Sequence, residues 1–405
     1  MTLRHSTVLC FCLLAWLCRA GTPVRYGADV LVERDLDLLR GHRVGIITNQ
    51  TGVLSTGTTL IDTLVSLGIQ VTALFSPEHG IGGGAAAGES VRDTVDAATG
   101  IRVYSLYGVT RKPTAAMLRA VDLLVYDLQD VGARFFTHIS TMKLAMEAAA
   151  EAGLPFIVLD RPNPLGGLFM DGPVLEDSLR SFVGAMPVPV VYALTCGELA
   201  QMINGEGWLS GGRRVHLTVV RMKGWRRSMR WEETHLRWIR PSPSMVSEET
   251  ALLYPGLCII EATNLSEGRG TENPFQMIGA PWVDEERMAR AVTDLHLPGV
   301  DVSPVRFIPA VSKHAGKACG GIRVDVGNPA EVDPLATGMS IFREFRRLYP
   351  DSVDVDVKFL GRLLGSATAA DRLLRGDPPQ SIRETWQVPL QRYRKNASKY
   401  VVYEE

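Results

Sequence analysis

The chain has 405 residues, and 46% of them are hydrophobic, which is ample for a large buried core and suggests two domains or three. Its charge is nearly balanced, with 43 Lys and Arg against 44 Asp and Glu. This balance argues against a nucleic-acid partner and against a disordered acidic chain. We therefore expect a folded protein that acts on a small or weakly charged molecule.

The N-terminal segment has the pattern of a secretory signal peptide. Arg4 and His5 precede the apolar run TVLCFCLLAWLC, which is too short to span a bilayer. We predict a signal peptide over residues 1–20 that is cleaved after Ala20, and hence an exported protein that is periplasmic or secreted. Two alternatives stay open: lipidation that anchors the protein at Cys18, and an uncleaved anchor or mis-assigned start. No later segment has the pattern of a membrane span.

Three cysteines follow the predicted leader: Cys196, Cys258 and Cys319. Their odd number and wide spacing in apolar surroundings do not fit a disulfide framework. They also lack C-x-x-C spacing, so the sequence does not predict a zinc site of the usual kind. We interpret all three as small core residues.

Residues 25–222 alternate between apolar runs and helical patterns. The predicted strands are 43–48, 71–76, 101–107, 122–128 and 156–160. Near-continuous apolar strands are typical of a parallel sheet that is buried on both faces. The predicted helices are 58–68 and 141–153, each ending at a glycine, and one that begins at a capping box over Thr195–Glu198. This alternation predicts a doubly wound α/β domain.

Two prolines in the segment RWIRPSPSM (237–245) break this alternation. We therefore place a domain boundary near residue 250 and predict domains over 24–249 and 250–405. The second domain is expected to be smaller and of the α+β class. Its predicted helices are 284–295 and 335–348, and its predicted strands are 256–262 and 321–326.

Four polar clusters stand at the carboxyl ends of four predicted parallel strands. They are Thr48–Gly52, Ser76–Gly80, Asp127–Arg134 and Asp160–Pro164. Open α/β sheets bind ligands at this edge, so we predict a site there. The candidate acids and bases are Glu78, Asp127, Asp130 and Asp160, the candidate anion-binding groups are Arg134 and Arg161, and the orienting groups are Asn49, Gln50, His79, His138 and Asn163.

Carboxylates beside amides suit sugar chemistry, since glycosidic cleavage commonly uses one protonated carboxyl group and one carboxylate. Glu78 is the sharpest candidate because Pro77 restrains its backbone, and partial desolvation at a strand end would suit a general acid. Structural alternatives stay open. In these, Glu78 caps the next helix or pairs with an arginine, Asp127 bonds a loop, and Asp160–Arg161 is an ion pair.

A second polar loop, Glu261–Thr271, lies in the predicted smaller domain. Two glycines flank Arg269 there, so backbone N–H groups and the guanidinium can approach an anion or a sugar. An ordinary exposed loop is the alternative. The tryptophans are interpreted as core residues, with stacking of one or two of them on sugar rings as the alternative: Trp225, Trp231, Trp238 and Trp282.

Three other kinds of site fit the sequence poorly. Residues 80–85 match G-x-G-x-x-A after a strand, but Pro-Glu-His intervenes and no helix start follows, which disfavours a dinucleotide site. Adjacent Glu78 and His79 are poor chelators on a regular element, and H-E-x-x-H is absent from the sequence, so no metal is predicted. A serine nucleophile lacks its G-x-S-x-G elbow.

Longer motifs then point to a family. They are, in order, GIITNQTGV, LFSPEHGI, SLYG, DLQDVGARFFTHISTM, VLDRPNPLGG, GELA, PSPSM, YPGLCIIEATNLSEGRGT and GAPW. From about Tyr26 to Tyr403 the chain resembles the NamZ-type exo-β-N-acetylmuramidases. The resemblance implies a Rossmann-like N-terminal domain, a smaller C-terminal domain and an active site in the cleft between them.

The resemblance also implies a substrate and a set of site residues. The activity would be release of β-1,4-linked N-acetylmuramic acid from non-reducing ends of peptidoglycan fragments such as muropeptides and MurNAc-GlcNAc, without a cofactor. The predicted catalytic residues are Glu78, His79, Asp127 and Glu261. The predicted substrate-binding residues are Asn49, Gln50, Arg134, His138, Asp160, Arg161, Asn163, Asn264, Glu267 and Arg269.

One segment departs from the family pattern, because GIGGGAAAGES after Glu78 and His79 replaces the more usual GIRG and lacks its arginine. The lactyl carboxylate of muramic acid would need an arginine partner, for which Arg134, Arg161 and Arg269 are the candidates. Two other functions stay open. One is a lytic or amidase-like cell-wall hydrolase, and the other is a muropeptide-binding protein without catalysis.

Overall fold

The computed structural model describes residues 23–405, so the predicted signal peptide and the alternatives at Cys18 lie outside the described residues. The strands are β1 Val44–Thr48, β2 Val71–Ser76, β3 Thr94–Val95, β4 Arg102–Ser105, β5 Leu123–Asp127, β6 Phe156–Leu159, β7 Leu217–Val220, β8 Met277–Ala280, β9 Val300–Phe307 and β10 Cys319–Val326. The helices are α1 Gly27–Arg34, α2 Leu60–Ser66, α3 His138–Ala152, α4 Cys196–Gly205, α5 Glu248–Leu257, α6 Glu285–Thr293, α7 Pro334–Leu348, α8 Val357–Leu364, α9 Ala367–Leu374, α10 Pro379–Arg383 and α11 Gln387–Ala397.

The larger sheet has the order β3-β4-β2-β1-β5-β6-β7, and all its pairings except that of β3 with β4 are parallel. Its six parallel strands follow the 3-2-1-4-5-6 order of the Rossmann fold, with the switch in strand order between β1 and β5. Every residue of β1, β5 and β6 is buried, as expected for a parallel sheet covered on both faces. The predicted doubly wound domain is confirmed.

Local signals in the sequence position the elements around this sheet. The capping box is present as predicted, because the Thr195 hydroxyl accepts from Glu198 N–H and the Glu198 carboxylate accepts from Thr195 N–H. Helix α3 ends at Gly153, which has a positive φ of 68°. The strand β7 was not predicted from the sequence.

The smaller sheet is antiparallel, in the order β8-β10-β9, and it shares a hydrophobic core with α5, α6 and α7. The predicted strand over 321–326 and both predicted helices are confirmed. The predicted strand over 256–262 is wrong, because α5 and a 3₁₀ turn over Cys258–Ala262 occupy that stretch. A short, fully buried apolar run does not distinguish a strand from a helix by its periodicity.

Two glycines explain why α5 packs so closely against α7. A β-carbon on Gly256 would lie 1.6 Å from the carbonyl oxygen of Pro334, and one on Gly338 would lie 2.2 Å from the carbonyl oxygen of Gly256. These glycines therefore let α5 and α7 approach backbone to backbone. Gly256 begins the predicted strand in the sequence but serves close helix packing in the fold.

The end of the chain returns to the larger sheet. The Tyr393 hydroxyl, on α11, donates to the carbonyl oxygen of Tyr192, and the Tyr403 hydroxyl donates to the Asp160 carboxylate just after β6. Residues 393–403 therefore pack against the part of the chain that contains the larger sheet. Helices α8 to α11 were not predicted from the sequence.

The three cysteines of the described residues are buried and free, as predicted. They are Cys196, Cys258 and Cys319, and burial raises the pKa of each thiol. Over residues 23–405, no helix combines the length and the apolar composition that crossing a bilayer requires.

Candidate active site

Two joined cavities lie between the carboxyl edge of the larger sheet and the loops that precede β8 and β10. The inner cavity has a volume of about 280 Å³, and Glu78, His79 and Thr137 line it from the side of the larger sheet. Glu261 and Arg269 line it from the opposite side. An outer cavity of about 570 Å³ shares Glu261 and Arg269 with the inner one. Residues from both halves of the chain therefore form a single cleft.

Glu78 follows β2 and is held by two hydrogen-bond donors. The N–H of Gly88 lies 2.9 Å from one carboxylate oxygen, and the Thr137 hydroxyl lies 2.7 Å from the other. Tyr107 also lines this cavity, and burial together with the nearby Glu78 carboxylate raises its pKa to about 12. Donors of this kind stabilise negative charge on Glu78. Its side chain is fixed at the cavity wall and does not cap a helix.

Two histidines support this wall in their neutral form. His79 lies in the left-handed region with a φ of 72°, and its Nδ1 is 2.7 Å from the carbonyl oxygen of Ala85. His138 Nδ1 is 3.0 Å from the carbonyl oxygen of Gln129. Burial lowers the pKa of His79, and it lowers that of His138 to about 4. His79 lines the cavity, whereas His138 is buried behind it.

Four charged side chains form a cluster on the opposite wall. Arg269 forms ion pairs with Glu261 and Glu267, the latter at 3.2 Å, and Glu267 also pairs with Lys313 at 3.0 Å. The hydroxyl of Ser244 accepts a bond of 2.8 Å from Arg269. Burial raises the pKa of Glu261 against the opposing effect of Arg269. Burial and ion pairing therefore act in opposite directions on the Glu261 carboxyl group.

Gly270 brings the two loops of this cluster together. It has a positive φ of 83°, and a β-carbon there would lie 2.5 Å from the backbone nitrogen of Val311. The N–H of Ala310 donates to the Gly270 carbonyl oxygen at 3.0 Å. Glycine at this position allows the contact that places Lys313 beside Glu267.

The switch point of the larger sheet is filled by the protein itself. Arg161 donates to Asp127 at 2.7 Å and to the Val53 carbonyl oxygen at 2.9 Å, and its guanidinium lies 4.3 Å from the centre of the Tyr26 ring. Asp127 and Arg161 are 0% and 2% exposed. The predictions that Asp127 is catalytic and that Arg161 binds substrate do not fit this geometry, because both side chains are buried, pair with each other and line neither cavity of the cleft.

The prediction that Arg134 binds substrate is also corrected by the structure. It is fully buried, and its guanidinium donates to the carbonyl oxygens of Pro173, Val188 and Leu363 at 2.7–3.1 Å. These bonds tie together three separate segments of backbone. The predicted role in binding the lactyl carboxylate is therefore not supported, and among the three candidate arginines only Arg269 lines the cleft.

Four further predicted binding residues hold loops rather than face the cleft. Asp160 accepts from Thr195, Gly197 and Tyr403, and Asn163 bonds Leu165 N–H and the Leu194 carbonyl oxygen. Asn49 accepts from Thr51, and Asn264 bridges to Ser352 and Asp354. Short amide and carboxylate side chains after strands often make such loop bonds, which sequence alone does not separate from ligand contacts. Gln50 lies elsewhere, at a third cavity beside the cleft.

Sequence reasoning missed several residues of the cleft, four of which contact its charged side chains. These four are Tyr107, Thr137, Ser244 and Lys313. The first three stand within motifs already singled out, namely SLYG, DLQDVGARFFTHISTM and PSPSM. Lys313 belongs to no such motif, and only the contact between two distant loops reveals it. The part of the chain that the structure describes has no group of three His, Cys, Asp or Glu side chains arranged to hold a metal ion.

Comparison with known proteins places this cleft in a family. A model of the N-terminal domain of the exo-β-N-acetylmuramidase NamZ matches residues 44–249, and a model of its C-terminal domain matches residues 252–403. The chain belongs to the NamZ family. It is 42% identical over 386 residues to the peptidoglycan beta-N-acetylmuramidase NamZ of Bacillus subtilis (strain 168), with 94% of this chain and 91% of that protein covered.

Two crystal structures of DUF1343 family proteins from Bacteroides fragilis NCTC 9343 share the NamZ-family fold of this chain. One superposes with a TM-score of 0.87 at 40% identity, covering 94% of this chain and 99% of that chain. The other has a TM-score of 0.76 at 29% identity, covering 95% of this chain and 100% of that chain. The shared fold therefore spans nearly the entire described chain.

Proposed function

We propose that this protein is an exo-acting glycoside hydrolase that releases β-1,4-linked N-acetylmuramic acid from non-reducing ends of peptidoglycan fragments. Membership of the NamZ family supports the substrate class. The observation that carries the proposal is that one cavity brings Glu78 and Glu261 together from opposite sides. Two carboxyl groups around one cavity are what glycosidic cleavage commonly requires.

The surroundings of the two carboxyl groups suggest different roles. Glu261, whose pKa is raised by burial, would protonate the glycosidic oxygen as its bond to the anomeric carbon breaks. Glu78, held by Gly88 and Thr137, would supply the carboxylate that serves water or the anomeric carbon. Water then adds at that carbon, and the proton lost from water restores the acid. The sequence-based expectation that Glu78 is the general acid is the reverse assignment of the same two groups.

The charged cluster also suits the lactyl carboxylate. With Glu261 protonated, Glu267 is the remaining anion beside Arg269 and Lys313, so the cluster carries one net positive charge. An anionic ligand in the outer cavity would balance that charge. The substrate carboxylate would then bind near Arg269, Lys313 and Ser244.

Hydrolysis of a chromogenic β-N-acetylmuramide, with the β-N-acetylglucosaminide as control, tests this proposal. We expect turnover that prefers the muramide and falls at least about 100-fold in Glu78→Gln and in Glu261→Gln. No turnover of either sugar, with muropeptide binding intact, would support the binding-protein alternative. Release of an anhydro-sugar or a free peptide would support a lytic or amidase-like hydrolase.

We also propose that the protein is exported to the periplasm or secreted. The support is the sequence of residues 1–20, with a charged start, an apolar run and Ala20 before the cleavage point. Cell fractionation should find the full chain outside the cytoplasm and a chain without residues 1–20 inside it. Cys18→Ala distinguishes a lipid anchor, since it would abolish incorporation of labelled fatty acid into a lipidated protein and leave a cleaved one unchanged.

A further inference from the structure

A third cavity, with a volume of about 480 Å³, adjoins the cleft. Gly82, Gly83 and Gly84 form one side of it, and the segment 237–240 forms the other. It shares Gly84 and Pro243 with the outer cavity. A ligand that extends out of the cleft can therefore continue into this third cavity.

Three contacts build this cavity. A β-carbon on Gly83 would lie 2.1 Å from the Gln50 side-chain nitrogen, so glycine lets Gln50 lie in this position. That same nitrogen donates to the carbonyl oxygen of Arg240 at 2.7 Å. The indole nitrogen of Trp238 donates to the Met245 carbonyl oxygen at 3.0 Å, and its ring packs edge-on against Trp231. Trp238 is only partly buried, so a fixed aromatic ring lines the cavity.

The charge of the third cavity is uncompensated. Arg237 and Arg240 are both exposed and line it, and neither guanidinium pairs with a carboxylate anywhere in residues 23–405. Arg269, in the cleft, is by contrast paired with two carboxylates. Two unpaired guanidinium groups beside an aromatic ring are suited to an acidic sugar ligand.

We propose that the third cavity binds the leaving part of the substrate, with Arg237 and Arg240 on a carboxylate and Trp238 against a sugar ring. This inference rests on the proposed function, because an exo-acting enzyme must leave the remainder of the chain outside the reaction cavity. The carboxylate has two sources in peptidoglycan fragments. It belongs to the lactyl group of the next muramic residue or to a stem peptide attached to it.

The test compares an Arg237→Ala, Arg240→Ala double variant with an Arg226→Ala control, which removes an exposed arginine outside the cavities. The substrates are the chromogenic β-N-acetylmuramide and the MurNAc-GlcNAc-MurNAc-GlcNAc tetrasaccharide with and without stem peptides. We expect kcat/KM of the double variant to fall about tenfold on the tetrasaccharide and to stay unchanged on the chromogenic substrate. A loss only on the form without peptides assigns the lactyl carboxylate, which an attached stem peptide converts to an amide. A loss only on the form with peptides assigns a peptide carboxylate, and a loss on both forms shows that the cavity accepts either.

Unchanged tetrasaccharide hydrolysis by the double variant, with the parent protein active, would overturn this inference and leave the proposed function standing. If the parent hydrolyses neither substrate, the proposed function fails first. Calorimetric binding of the tetrasaccharide then tests whether the third cavity binds this ligand. Weaker binding by the double variant, and not by the control, supports the inference. Equal binding by the parent, the double variant and the Arg226→Ala control rejects it.

Discussion

Two arginines of this protein, Arg134 and Arg269, have opposite surroundings. Arg269 meets two carboxylates at the cleft, whereas Arg134 meets only backbone carbonyl groups. Burial without a carboxylate lowers the pKa of Arg134 to about 9. Removing Arg134 therefore leaves buried carbonyl oxygens without donors, which is a cost to folding rather than to binding.

The variant Arg134→Met should lower the free energy of unfolding by about 3 kcal/mol, since three buried acceptors lose their donor. Its kcat/KM per folded molecule should be unchanged. Denaturant unfolding and kinetics on the chromogenic muramide measure the two effects, with Arg226→Met as the exposed control. A selective loss of muramide hydrolysis at unchanged stability would restore Arg134 to the site.

Glu267 should control the pH at which the proposed acid works. Its negative charge helps to raise the pKa of Glu261, after burial and against Arg269. In Glu267→Gln that pKa should fall, so Glu261 loses its proton earlier as the pH rises. The alkaline limb of kcat/KM should therefore move to lower pH. An unmoved limb in the pH profile would show that Glu261 is not the acid.

At the scale of single elements, the loop over residues 80–90 covers Glu78. Its Gly88 N–H bonds the Glu78 carboxylate, its Ala85 carbonyl oxygen bonds His79, and its Gly83 rests on Gln50. This loop lacks the arginine expected from the family pattern, and its glycines and alanines instead leave room along the cleft. Backbone groups supply its polar contacts to the site.

Gly83→Ala should lower both stability and activity, whereas Gly82→Ala should change neither. The new β-carbon at 83 meets Gln50, and the positive φ of 68° strains any other residue there by about 1–2 kcal/mol. A β-carbon at Gly82 meets nothing within 4 Å. We expect lower kcat/KM on the tetrasaccharide and a lower melting temperature for the first variant alone. Equal behaviour of the pair would show that the loop adjusts freely.

Elements with a clear local signal were predictable, and those that depend on distant partners were not. The strands before Asn49 and Glu78 follow from continuous apolar runs, and α4 follows from its capping box. The helix that contains Gly256 was missed because the use of glycine there depends on close packing against α7, nearly 80 residues later in the chain. Glu78 and Glu261 were predicted as site residues, whereas Asp127 and Arg161 share the same strand-end signal and turned out to pair with each other.

At the scale of the whole molecule, residues 393–403 fasten the end of the chain to the larger sheet. The Tyr403 hydroxyl donates to Asp160 at 2.6 Å and accepts from Met222 N–H at 2.9 Å. Tyr400, nearby in sequence, bonds only Glu206 at the surface. The two tyrosines therefore form a matched pair for testing this attachment.

Tyr403→Phe should lower the free energy of unfolding by about 1–3 kcal/mol, because a buried N–H loses its partner and the buried Asp160 carboxylate loses one of its donors. Tyr400→Phe should change it much less, since its partner can bond water. Thermal or denaturant unfolding of both variants measures the difference. Equal small effects would show that the attachment does not contribute to stability.

This attachment orders the steps by which a new chain folds during synthesis. The Asp160 network and the apolar cluster of Val24, Met222, Trp225 and Tyr403 need residues that the ribosome makes only after the entire smaller sheet. Domains usually fold from the N-terminus as they emerge. The contacts of Tyr403 with Asp160 and Met222 therefore stay unmade until about 180 further residues have been translated after Met222.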